Sequence, residues 1–203
     1  DSLGFNEQML VDWKSVVEQP NGVVLVTGPT GSGKSTTLYS ILSQLDTNEI
    51  NVSTVEDPIE AQIKGINQSQ INERAGFTFS TALRSMLRQD PDVLMVGEVR
   101  DPDTAAIVSQ AALTGHLVFS TLHTNDSISA VTRLVNLGIE PYLVAATVRG
   151  VLAQRLVRKI CPHCKTTWEG GSAVRQACGG GEYYMGVGCN RCRGTGFAGR
   201  IGI

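Results

Sequence analysis

Between residues 22 and 157, short and wholly apolar runs alternate with segments of helical spacing. Val23-Val24-Leu25-Val26 has no polar face, so it predicts a strand buried on both sides and ending in a glycine-rich turn. A helix is expected over about 35–45, and a second strand over 50–55. Val93-Leu94-Met95-Val96 and Leu117-Val118-Phe119-Ser120 predict two more strands, each flanked by helix-compatible segments. Pro91, Pro102 and Pro141 punctuate element starts. This alternation predicts an α/β fold with a mostly parallel sheet covered on both faces. The pattern changes after Leu156. From Cys161 onward the chain is rich in Gly and Cys and loses apolar periodicity, which predicts a small metal-stapled subdomain over 158–203 beside a core over 21–157.

Composition narrows the picture mainly by exclusion. At 203 residues the chain fits one full domain with a small appendage. A formal net charge of -2 argues against a strongly basic nucleic-acid binder, so no direct nucleic-acid partner is expected. No apolar run approaches the ~20 residues needed to cross a bilayer, and no secretory signal opens the chain. The start at Asp1 and the stop at Ile203 suggest a piece of a longer protein.

Gly28-Pro29-Thr30-Gly31-Ser32-Gly33-Lys34-Ser35-Thr36 matches G-x-x-x-x-G-K-[ST], directly after a predicted strand and before a predicted helix. Glycines at these positions let backbone N–H groups turn inward around phosphate oxygens, and the helix N-terminus adds partial positive charge. Lys34 is expected to reach the β- and γ-phosphates, and Ser35 to offer its hydroxyl to Mg²⁺. A chance Gly-rich turn is the alternative, and the strand-before, helix-after context argues against it. The motif identifies nucleotide binding and leaves the reaction open.

Two acidic clusters follow predicted strands, at the edge where a parallel sheet delivers its functional groups. One is Glu56-Asp57-Pro58-Ile59-Glu60; the other ends the apolar run at Gly97-Glu98. Hydrolysis needs an acceptor to orient water and oxygen ligands for Mg²⁺, and two neighbouring strand ends could divide that labour. Asp57 and Asp101 suit plain turn chemistry. Glu98, after four apolar residues, suits it poorly and is expected at the nucleotide. His123 ends the next strand at the same edge, where it could sense a γ-phosphate; His116 begins that strand and belongs at the opposite edge. Arg74, Arg84 and Arg88 lie between the acidic boxes and could reach phosphate, with a solvated helix face as the alternative for Arg84 and Arg88.

Cys161-Pro162-His163-Cys164 and Cys189-Asn190-Arg191-Cys192 form two C-x-x-C knuckles. With no secretory signal this spacing favours metal over disulfides, so a reducing cytoplasm is expected, and Cys161, Cys164, Cys189 and Cys192 together would close a structural tetrahedron around Zn²⁺. Arg158, Lys159, Lys165, Arg191 and Arg193 read as a basic halo compensating the thiolate charge. Cys178 reads as an ordinary free thiol.

With these motifs in order, the chain resembles the secretion-ATPase superfamily, which comprises type II secretion and type IV pilus assembly ATPases with their competence relatives. The resemblance rests on the Gly28–Thr36 loop, the acidic box Val55–Glu60, the Walker B-like segment Asp90–Asp101 and the histidine box Thr114–Asp126. It implies a RecA-like P-loop ATPase core acting in a homo-hexameric ring, with ATP and Mg²⁺ bound between subunits. It implies Glu60 as catalytic base, Glu98 at Mg²⁺ or its water, and His123 at the γ-phosphate. It implies a cytoplasmic protein peripheral to the inner membrane, working with a platform protein and a cytoplasmic adaptor. Residues 1–20 resemble the linker and first helix leading out of a preceding arginine-contributing domain. The cysteine insert resembles that of pilus-extension and secretion ATPases rather than retraction ATPases. Two other readings compete: a P-loop kinase, for which no acceptor pocket or lid signature is present, and a zinc-ribbon nucleic-acid module, which the acidic balance disfavours.

Overall fold

A computed structural model describes residues 3–169, 171, 176–177, 179 and 181–203. Cys178 lies outside the described residues. The chain divides into two compact units, one formed by Phe5–Arg155 and the other by Leu156–Ile203 with the first four residues.

The larger unit is built on six parallel strands. These are β1 (Gly22–Thr27), β2 (Val52–Glu56), β3 (Asn67–Gln70), β4 (Val93–Val96), β5 (Leu117–Leu122) and β6 (Val148–Ala153), in the spatial order β3-β2-β4-β5-β1-β6. Because every pair is parallel, all six carboxyl ends emerge at one edge. The central strands β1, β4 and β5 are buried along their whole length, which explains why their sequences lack an alternating polar face.

Their side chains feed two cores. Val23, Leu25, Leu94, Val96, Val118 and Leu122 face a cluster completed by α3 (Phe79–Met86), α4 (Pro102–Leu113), α5 (Ser127–Asn136) and α6 (Pro141–Thr147). The alternate residues Val24, Val26, Val93, Met95, Leu117 and Phe119 face a second cluster with α2 (Lys34–Leu42). The helix α1 (Glu7–Val17), expected as a lead-in from a preceding domain, packs Trp13, Val16 and Val17 onto this second cluster. Its close approach requires Gly150 on β6, since a Cβ there would stand 2.6 Å from Val16 Cγ1.

Two strands of the larger unit were not anticipated. β3 has no apolar residue at all; it is an edge strand whose pairing comes from backbone bonds to β2 and from Gln68 Nε2 donating to Glu56 Oε1 at 3.0 Å. β6 forms the other edge. Pro102 and Pro141 each open a helix, where a missing N–H costs nothing.

The smaller unit consists of two antiparallel pairs, β7 (Leu156–Ile160) with β10 (Phe197–Gly202) and β8 (Lys165–Trp168) with β9 (Tyr183–Gly186). Among the described residues its buried cluster consists of Cys161, Cys164 and Cys192, with Cys189 packed against it.

Candidate functional site

β1 delivers the phosphate loop. Gly28 adopts φ +147°, and a Cβ there would lie 2.3 Å from the Gln154 carbonyl and 2.7 Å from Ser32 Oγ, so only glycine fits. Gly31, at φ +76°, has nothing near its absent side chain, which leaves the turn open to an approaching group. Gly33 sits in the left-handed region at φ 89° and hands the chain into α2 without a side-chain cap. The first N–H groups of α2 therefore retain donor capacity, the arrangement that binds anions at helix N-termini. Ser32 Oγ is buried and has no hydrogen-bond partner, a polar atom that a phosphate oxygen would satisfy.

Lys34 is buried on the first turn of α2, and its Nζ donates to the carbonyls of Gly28 at 2.9 Å and Pro29 at 3.2 Å. Burial lowers its pKa below the ordinary lysine value, while the negative charge of Glu98 opposes that fall. The Glu98 carboxylate thus acts on the Lys34 ammonium across the strand ends. Glu98 follows β4 and is buried. Its Oε1 is ion-paired with the Arg100 guanidinium, and its Oε2 lies 3.2 Å from His123 Nε2. Arg100 and His123 are both about half exposed, so the carboxylate is buried between two partners that reach solvent. The Glu98 contact raises the Arg100 pKa, keeping that side chain cationic.

The segment after β2 brings the second carboxylate. Glu60 Oε1 accepts from Ser35 Oγ at 3.2 Å, so an acidic side chain contacts the loop hydroxyl directly. Glu56, at the end of β2, has other partners. It is buried and accepts from Thr54 Oγ1 at 2.7 Å, from Gln68 Nε2 at 3.0 Å and from the Tyr39 hydroxyl. Burial first, and then the bond to Glu56, push the Tyr39 pKa up to about 12.

The loop is tied to its neighbours by further bonds. Thr27 Oγ1 meets Thr124 Oγ1 at 2.7 Å, and Thr124 N donates back to Thr27 Oγ1 at 3.0 Å. Thr37 Oγ1 donates to Gln154 Oε1 at 2.7 Å, while Gln154 N donates to the Thr27 carbonyl. Thr121 Oγ1 donates to the Gly97 carbonyl at 2.6 Å and fixes the turn that carries Glu98.

Lys34, Ser35, Glu60, Glu98 and His123 are thereby gathered at one sheet edge. His116 stands at the other end of β5, its Nδ1 2.9 Å from the Ala111 carbonyl. Asp101 is the N-cap of α4, accepting from Thr104 N at 2.8 Å. Arg84 is exposed on α3, Arg74 is exposed, and Arg88 reaches Ser85 Oγ. Sequence reasoning missed Tyr39, Arg100 and Gln154. Tyr39 follows Ser35 by four residues on a helix, and Arg100 follows Glu98 by two, which are faint signals. Gln154 gives none.

In the smaller unit, the four ligand-type sulfurs of Cys161, Cys164, Cys189 and Cys192 all lie within 4.8 Å of one another. Cys164 and Cys189 each stand 3.8 Å from Cys192. Four thiolates at about 2.3 Å from a zinc ion are separated by about 3.8 Å, so the donor set fits a tetrahedral metal. Burial opposes ionisation of Cys192, yet N–H donors from Cys189 and Gly196, with the neighbouring thiols, draw its pKa down to about 6. The expected basic halo is arranged differently from a simple charge shell. Arg158 lies 4.0 Å over the Phe197 ring and Lys165 3.7 Å over the Tyr184 ring, so aromatic faces share these cations. His163 faces Arg191 and stands apart from the sulfur cluster.

A family profile described as "Type II/IV secretion system protein" matches residues 1–203. Among curated relatives, Type II secretion system protein HxcR of Pseudomonas aeruginosa is 52% identical over the whole chain, which covers 41% of that protein. Type IV pilus assembly ATPase TfpB of Acinetobacter baylyi is also 52% identical, with 100% of this chain and 36% of that protein covered. The chain thus spans about two fifths of the length of these relatives. Among solved structures, the pilus retraction motor PilT with bound ADP superposes with a TM-score of 0.66 at 36% identity, covering 90% of this chain and 50% of that one. The Legionella pneumophila ATPase DotB superposes with a TM-score of 0.64 at 31% identity, covering 77% and 45%. A profile match along its whole length, on a parallel-sheet P-loop fold shared with these ATPases, establishes that the chain belongs to the type II/IV secretion system protein family.

Proposed function

We propose that this chain is the ATP-hydrolysing core of a motor subunit that drives protein secretion or type IV pilus assembly. The observation that carries the reading is the convergence of a phosphate loop and two carboxylates from neighbouring strands at one edge, with Glu98 acting on Lys34 and Glu60 touching Ser35. Curated relatives named as a secretion protein and a pilus assembly ATPase support the coupling to such a machine.

In this reading Gly28–Thr36 wrap the triphosphate, Lys34 holds the β- and γ-phosphates, and Ser35 with Glu98 holds Mg²⁺ directly or through water. Mg²⁺ would neutralise charge developing on the transferring phosphoryl group. Glu60 orients and deprotonates the attacking water, and its contact with Ser35 keeps it beside the metal position. His123, held against Glu98, reports the γ-phosphate. Cys161, Cys164, Cys189 and Cys192 hold a structural Zn²⁺ that cross-links the smaller unit. The subunit works in a homo-hexameric ring with ATP between subunits, on the cytoplasmic side of the inner membrane, against a platform protein and an adaptor. In keeping with a peripheral position, no helix among the described residues is long and apolar enough to cross a membrane.

Paired variants of the intact protein test the reading. Lys34→Ala should abolish nucleotide binding, whereas Glu60→Gln should bind ATP normally and hydrolyse it at least about a hundredfold more slowly. Turnover by Glu60→Gln near the wild-type rate would remove the assigned base.

A further inference from the structure

Ser35 and Tyr39 are four residues apart on α2, so their side chains leave the same helix face one turn apart. Both grip the same residue. Ser35 Oγ donates to Glu60 Oε1 at 3.2 Å, and Glu60 N donates to the Tyr39 hydroxyl oxygen at 3.2 Å. The phenol can accept that bond because its own proton is committed elsewhere, to the Glu56 carboxylate. Glu56 in turn is fixed from three directions by Tyr39, Thr54 and Gln68 and is only 4% exposed. A buried carboxylate with three donors is a rigid anchor, since losing any one of them leaves charge unsatisfied.

The segment carrying Glu60 is tied to β3 on either side of that residue, Ile59 N donating to Gln70 Oε1 at 3.3 Å and Gln68 Nε2 to the Ala61 carbonyl at 3.0 Å, but these bonds do not reach Glu60 itself. Residues 57–66 form no helix or strand, and Glu60 is exposed. A general base must be held to a fraction of an ångström to be effective. Here the only described bonds to Glu60 come from the one helix that begins in the phosphate loop.

We propose that Tyr39 is a positioning residue for hydrolysis, holding the Glu60 backbone through a Glu56–Tyr39 brace while the Glu60 carboxylate stays free to exchange partners. This rests on the reading of Glu60 as the base. The division between the two grips is chemical. Ser35 is the hydroxyl suited to Mg²⁺; a bound metal would take a lone pair of its oxygen and draw it toward the phosphates, which would change the geometry of the bond that its proton makes to the Glu60 carboxylate. Tyr39 touches only the backbone N–H, and that contact persists whatever the carboxylate does. Its raised pKa keeps the phenol protonated, and so donating to Glu56, throughout the neutral range. The brace also ties the catalytic segment to α2, so any rotation of that helix on nucleotide binding is passed to the base.

The test is Tyr39→Phe in the intact protein, a change that keeps the ring in its packing against the α2-side core and removes only the hydroxyl. ATP turnover, KM for ATP and Kd for ADP are measured beside Glu60→Gln. Positioning predicts that kcat falls about tenfold or more while KM and the ADP Kd stay within about twofold. A kcat within twofold of wild type overturns the proposal. So does a parallel loss of ADP binding, which would mean that Tyr39 supports the site as a whole. Glu60→Gln separates the two levels of argument. If that variant is inactive and Tyr39→Phe is not, the brace fails and the base assignment survives. If Glu60→Gln turns over normally, the base assignment fails and takes the brace with it.

Discussion

Stripping metal from the smaller unit should unfold it and leave the larger unit intact. Among the described residues the smaller unit buries little besides its cysteines, and its strands form two separate two-stranded pairs. Two-stranded ribbons are marginal in water without a packed face. A zinc cross-link through Cys161, Cys164, Cys189 and Cys192, as proposed above, would supply what a hydrophobic core supplies elsewhere. Apparent folding energies of structural zinc sites run to about 10–16 kcal/mol at neutral pH. At about 1.4 kcal/mol per decade, losing even ~10 kcal/mol shifts the local equilibrium by about seven orders of magnitude. The larger unit keeps two apolar clusters on either side of a six-stranded sheet and needs no metal to fold. The assay combines zinc release by a strong chelator with thiol titration and limited proteolysis. About one zinc per chain should appear, four further thiols should become reactive, and cleavage should concentrate between residues 156 and 203. Cys161→Ser should reproduce this without chelator. If the stripped protein keeps those thiols protected and resists cleavage there, the metal is not what holds the unit, and the reasoning fails.

The remaining expectations concern the larger unit. Glu98→Gln keeps the shape of the side chain but removes the charge that opposes the effect of burial on Lys34, so the Lys34 pKa should fall further and ATP turnover should drop about a hundredfold or more. Steady-state turnover beside ADP binding checks this, and a rate within threefold of wild type would contradict it. Phe119 is fully buried in the middle of β5, and Phe119→Ala should cost about 3–5 kcal/mol, read as a lowered denaturant midpoint for the larger unit. A shift worth under about 1 kcal/mol would show that the core around β5 collapses to fill the space.

How much could be read in advance follows from where each interaction is made. The strands β1, β4 and β5 were legible because burial on both faces leaves an unbroken apolar run. Strand β2 begins at Val52 rather than at residue 50, and α2 ends at Leu42 rather than near 45, shifts typical of element ends. Strand β3 was illegible, since Asn67-Gln68-Ser69-Gln70 carries no apolar signal and its side chains bond to residues distant in sequence. The site divides in the same way. A phosphate loop is a local backbone device, and paired cysteines declare themselves by spacing, so Lys34, Ser35 and the knuckles stood out. Glu98 stood out because a carboxylate directly after a buried strand has few bland explanations. Tyr39 and Gln154 acquire their roles through contacts across the fold, to Glu56 and to Thr27 and Thr37, while Arg100 pairs with Glu98 two residues away, a local spacing too common to single it out.

The place of β6 has a consequence for how the protein is made. Gln154, one residue beyond this edge strand, donates its N–H to Thr27 and receives the hydroxyl of Thr37, and its carbonyl closes over Gly28. The phosphate loop is translated before the residue that braces it, which comes at the far end of the larger unit. A nascent chain on the ribosome therefore cannot finish its nucleotide pocket until residue 154 has left the exit tunnel and β6 has docked beside β1. Up to that moment the growing polypeptide carries the recognisable motif without the wall that Gln154 and β6 supply.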